Sequence, residues 1–206
     1  MLCGLLPSQI GVVENKNIFL LPKLKQQGEK KYESFNFKAH HYKWRKSAFI
    51  KEIQEAFQKS YENEFGEFEK TILPVEDIEE SFDTKGAESY IAEVNGKRVG
   101  STIIVIDDKL GYSSLHLLYV KSDLQNAGYG YKIWRAIEEL HPKTKIWETH
   151  TPYYDKRNIH FYVNRCGFKI VEFFNSKHQD PHQTGDTAGN IPSENNLFFR
   201  FEKEMK

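Results

Sequence analysis

From Leu115 to Leu140 the sequence reads LHLLYV, then KSDLQNAGYG, then YKIWRAIEEL: an apolar run, a loop bearing Gly128 and Gly130, and a segment of helical period. The start of a helix presents N–H groups with no partner inside the helix, together with the positive end of its dipole. A loop that lets backbone approach closely there can hold a phosphate. Gly128 and Gly130 stand where side chains would otherwise block a diphosphate. A tight turn into a core helix would read the same from this stretch alone. Neither GxxxxGK[ST] nor a complete GxGxxG is present, so a P-loop or dinucleotide-binding crossover does not account for it.

Groups able to move a proton lie nearby in sequence. His116 sits within the apolar run, and Glu148 and His150 share parity in a later run, hence one face of a strand. For each, a hydrogen-bonded structural role competes with a catalytic one. His178, Asp180 and His182 have an H-x-D-x-H spacing, but in a stretch rich in Gly, Pro and Asp they read as a solvated surface segment. No metal is expected. Trp147, Tyr153 and Tyr154 line a pocket or simply pack.

The elements that position these residues follow from periodicity. Phe35, Phe37 and Ala39 alternate with polar residues as in a half-buried strand, and Phe49, Ile53, Ala56, Phe57 and Tyr61 recur at helical spacing from about 44 to 65. Pro74 opens a short second helix carrying Ile78 and Phe82. Asn95-Gly96 joins two strands, 90–94 and 98–106, in a tight hairpin. The run 114–120 is apolar enough for a central strand. Ile133, Ile137 and Leu140 share a helix face closed by Pro142. A short strand is expected over 145–151, a helix over 157–166 with Gly167 at its C-cap, and closing strands over 168–174 and 197–201. Residues 175–196, rich in Asp, Asn, Gly, Pro and Ser, make a long loop. The fold class is therefore α/β (α+β): a mixed, mostly antiparallel sheet of about six to seven strands with helices on both faces.

The 206 residues fit one domain, with 1–31 an N-terminal extension and 32–206 the domain proper. The 29 basic and 29 acidic residues cancel, so no overall field draws the protein to nucleic acid or an anionic membrane. Cys3 and Cys166 form no CxxC pair, which points to a reducing, cytoplasmic setting. The apolar N-terminus lacks a basic leader and is broken by Pro7, Gln9 and Glu14, a poor signal peptide and too short to span a bilayer.

Gln125-x-x-Gly128-x-Gly130, five residues after a strand ending at Val120, resembles the acyl-CoA pyrophosphate loop of the GNAT N-acetyltransferase superfamily. Asn158 followed by HFYVNRCGF resembles that family's later motif, in which an Asn faces the pantetheine arm and an F-Y-x-x-x-G-F run forms the next helix and strand start. Lys121-Ser122 departs from the proline often found after the central strand, and Asn126-Ala127 from a common Gly-Lys. The resemblance spans roughly 34–202, its specific motifs 115–168. It implies an acetyl-CoA-dependent transfer to an amine of a small molecule or peptide, through a direct ternary complex, by a monomer or homodimer. An inactive acyl-CoA-binding sensor is the alternative. Residues implied in holding the acyl-CoA are Leu118, Tyr119, Val120, Gln125, Asn126, Ala127, Gly128, Tyr129, Gly130, Tyr131, Asn158 and Phe161. Tyr162 is implied as the acid that protonates the leaving thiolate, with backbone N–H groups near Tyr119 and Val120 meeting the oxyanion. His116, Glu148 and His150 compete for the base.

Overall fold

The computed structural model describes residues 18–21, 33–39, 46–181, 192 and 197–206. Among these, eight strands form a single sheet in the order β1-β2-β3-β4-β5-β6-β8-β7. They are β1 (Ile18–Leu21), β2 (Glu33–Ala39), β3 (Ala87–Val94), β4 (Lys97–Val105), β5 (Tyr112–Val120), β6 (Ile146–Pro152), β7 (Lys169–Phe174) and β8 (Phe198–Glu204). Every neighbouring pair is antiparallel except β5 and β6. One strand more than expected arises because Ile18–Leu21, within the stretch read as an extension, pairs with β2.

Helices α1 (Lys46–Phe65), α2 (Val75–Asp83), α3 (Tyr129–Leu140) and α4 (Lys156–His160) complete the domain. Pro74 is the N-cap of α2, where its missing N–H is no loss. Asn95 and Gly96 both take positive φ, 51° and 76°, as a tight hairpin requires. Phe49, Ile53 and Ala56 of α1 and Ile78 of α2 pack with Ile103, Leu117 and Tyr119. Ile133, Trp134 and Ile137 of α3 pack with Phe35, Phe37, Ile104, Leu115, Trp147 and Phe201.

That division exposes a break in strand parity. Leu115 and Leu117 both lie on β5 at odd positions, yet they enter different cores. The cause is a bulge: Ile103 pairs with Leu117 and Ile104 with Leu115, so His116 is the extra residue. A bulge bends the strand and re-aims its side chains. Thr102 Oγ1 donates to the Leu117 carbonyl at 2.8 Å beside it, satisfying a group that the ladder skips.

Candidate active site

β5 and β6 run parallel through four register pairs, the last being Leu115 with Thr149. Beyond that pair no ladder joins them, and His116 on one strand and His150 on the other are the first residues past the split. A cavity of about 470 Å³ opens there, walled by β5, β6, α1, the start of α3 and the turn of α4. Backbone groups of His116 to Val120 that face β6 are left for a partner other than a strand, and an extended amide chain is such a partner.

At one end the wall is Gln125, Asn126, Gly128, Tyr129, Gly130 and Tyr131. Gly128 caps α3 with φ 80°, a left-handed conformation that costs glycine nothing, and no atom lies within 4 Å of where its Cβ would be. At Gly130 a Cβ would meet the Phe161 ring at 3.4 Å, an ordinary van der Waals contact, so the first turn of α3 packs directly on the next helix. The helix start is thus an open cradle of backbone N–H groups, fit for an anion. Arg157, a residue the sequence reading missed, pairs its guanidinium with the Gln125 side chain and lines the same wall. Its signal was a cation one residue before Asn158.

Asp155 caps α4: its Oδ1 accepts from the Asn158 backbone N–H at 2.9 Å, and its Oδ2 accepts from Ser60 Oγ of α1 at 2.7 Å. This ties the cavity roof to its floor and holds Asn158 on the wall. The helix then departs from the expected motif. Four residues, Val163 to Cys166, separate Tyr162 from Gly167, where the F-Y-x-x-x-G-F run has three. A π-helical turn over Phe161–Cys166 takes up the extra residue, leaving both Tyr162 and Cys166 buried.

The Tyr162 ring packs against Phe161, Phe168 and Phe201. Its side chain reaches Thr149, the last paired residue of β6, whose Oγ1 donates to the Leu115 carbonyl at 2.9 Å. The ring is therefore core, beside the point where the two strands part, and Tyr162 also lines the cavity. Burial raises the Tyr162 pKa, so the hydroxyl keeps its proton throughout the neutral range.

His116 is exposed at the cavity wall, and desolvation followed by the nearby His150 lowers its pKa. It is neutral at pH 7. Of the other expected residues, Leu118, Tyr119, Val120, Asn158 and Phe161 line the cavity, whereas Ala127 does not. Tyr119 sends its hydroxyl to Glu52 at 2.7 Å, leaving only its backbone for a ligand. Glu148, one of the candidates for the base, lies outside the cavity wall, accepts from Tyr112 and pairs with Arg200 at 3.1 Å, so it is engaged as a structural anion. His150 lines the wall instead. No group of three or more metal-ligating residues occurs among the described residues, and His182 lies outside them.

A sheet whose central parallel strands part beside a glycine loop and a helix start is the fold of known acetyltransferases. The family model for the acetyltransferase (GNAT) family matches residues 50–168, and the chain belongs to that family. It is 42% identical over 161 residues to the uncharacterized protein YrkN of Bacillus subtilis, covering 77% of this chain and 87% of YrkN. A Bacillus subtilis acetyltransferase solved in complex with CoA superposes with a TM-score of 0.58 at 16% identity, covering 84% of this chain and 99% of that one. A spermidine N-acetyltransferase from Vibrio cholerae, solved with CoA and spermine, gives 0.59 at 13% identity over 82% and 95% of the two chains. Both likenesses are of fold.

Proposed function

We propose that the protein is an acetyl-CoA-dependent N-acetyltransferase acting on an amine of a small molecule or peptide, with both substrates bound together. The observation that carries this reading is the split at Leu115 and Thr149, with an anion cradle at one end of the cavity and His116, His150 and Tyr162 on its wall. Gln125 to Tyr131, with Arg157, would take the diphosphate. The freed edge of β5 and Asn158 would take the pantetheine amides, and β5 backbone N–H groups would meet charge developing on the thioester oxygen. Such a donor contributes typically about 3 kcal/mol.

A primary amine near pKa 10.4 is neutral in only about four molecules per ten thousand at pH 7, so a base must take its proton. His116 and His150, both on the cavity wall, would take it. Tyr162, always protonated, would supply a proton to the departing thiolate. Every residue in this account comes from one chain, so a monomer suffices. Cys166 is buried with its thiol pushed up to about 12, chiefly by burial, and so is inert. This suits a cytoplasmic protein. No helix among the described residues is long and apolar enough to cross a membrane.

The test is initial-rate measurement of thiol release from acetyl-CoA against a panel of amines. The reading expects amine-dependent release with intersecting double-reciprocal lines; parallel lines would indicate an acetyl-enzyme instead. Glu148→Gln should keep turnover within about threefold of wild type, because a positioned base is worth ~10² or more and this carboxylate is outside the cavity. A drop of that larger size would return Glu148 to the base role.

A further inference from the structure

Chain that leaves β7 does not run straight into solvent. The Asn175 backbone pairs with His178, N–H to carbonyl in both directions at 2.8 and 3.0 Å, and Asn175 Oδ1 accepts from Lys177 N–H at 2.8 Å. This tight turn brings Asp180 back against β6, where it is buried and its Oδ2 lies 3.7 Å from His150 Nε2. The His150 ring is fixed from its flat side as well. It stacks on Phe174 at 5.9 Å and 23°, and Phe174 stacks on His178 at 5.5 Å and 19°.

Resting on the acetyltransfer reading, we infer that His150 is the base for the acceptor amine and that Asp180 is its positioning residue. At 3.7 Å the carboxylate is a neighbouring charge rather than a hydrogen-bond acceptor for Nε2, and such a charge held against the ring favours its protonated form. Other charges around the ring do not substitute for Asp180. His116 on β5 is neutral and Glu148 is claimed by Arg200. Arg200, the register partner of His150 on β8, is met by Glu148, Glu172 and Glu202. His178 is held by Glu172 at 2.8 Å, and Asp77 of α2 lines the far wall.

The proton balance closes. His150 removes one proton from the ammonium, and the freed lone pair forms the N–C bond to the acetyl carbon as the C–S bond breaks. The nitrogen's second proton replaces the one that the thiolate draws from Tyr162. His150 then releases its proton to solvent, leaving amide, free CoA thiol and one proton.

Asp180→Asn tests this with two readouts on the full chain. Titration of His150 by NMR should show its pKa lowered in the variant relative to wild type. With acetyl-CoA and an accepted amine, kcat should fall roughly tenfold or more while KM for acetyl-CoA is unchanged, and the acid limb of the rate profile should move to lower pH. Asp180→Glu should recover part of both. An unchanged His150 titration, or an acid limb that stays put, overturns the pairing whatever the enzyme's acceptor. If wild type transfers acetyl to no amine, the base role falls with the acetyltransfer reading, while the NMR shift still decides the pairing.

Discussion

Gly128→Glu should weaken acetyl-CoA binding by about 100-fold or more, because like charges brought together cost several kcal/mol and each 1.4 kcal/mol is tenfold in affinity. The added carboxylate would project from the N-cap of α3 into the space where no atom now lies within 4 Å. It would satisfy the helix start that a diphosphate would otherwise occupy. Part of any effect is backbone strain, since φ 80° costs an ordinary side chain roughly 1–2 kcal/mol. Gly128→Asn separates the two, as asparagine tolerates the left-handed region and carries no charge. Calorimetry should find the Asn variant within about tenfold of wild type. Equal binding by the Glu variant and wild type would remove the diphosphate from this loop.

Tyr162→Phe should lower turnover by roughly 10² or more with little change in acetyl-CoA affinity. The ring contacts to Phe161, Phe168 and Phe201 survive the substitution, and only the hydroxyl is lost, a change worth about 1 kcal/mol. The melting temperature should therefore fall by only about 2–4 °C. Its raised pKa means the acid is loaded at every working pH, so no basic limb below pH 10 should be traceable to it. Turnover near the wild-type value would make Tyr162 a core residue alone and pass the acid role to water.

Much of this arrangement was legible in the sequence because its causes are local. The alternation around Phe35 and Phe37, the Asn95-Gly96 turn and the glycine loop before α3 each follow from a few neighbouring residues. What could not be read depends on distant partners. Parity places Glu148 and His150 on one face, but only the fold shows that Arg200, 52 residues on, neutralises the first and that Asp180 reaches the second. Asp180 looked like part of a solvated loop because the turn that carries it back is defined by contacts with β6 and Phe174, not by composition. The bulge at His116 is likewise invisible to a period of two. It appears only once β4 supplies one residue fewer than β5. At Tyr162 the sequence carries one residue more than F-Y-x-x-x-G-F, and the π-helical turn is its structural consequence.

The central claim is that the split between β5 and β6 transfers acetyl from CoA to an amine. Mass spectrometry of one reaction, counting acetylated amine against free CoA thiol, tests it most directly. Equal amounts of the two products are predicted, both falling together in Tyr162→Phe and Gly128→Glu. Thiol released without acetylated amine, or neither product from a broad amine panel despite tight CoA binding, would contradict the claim and leave an acyl-CoA-binding protein without transfer.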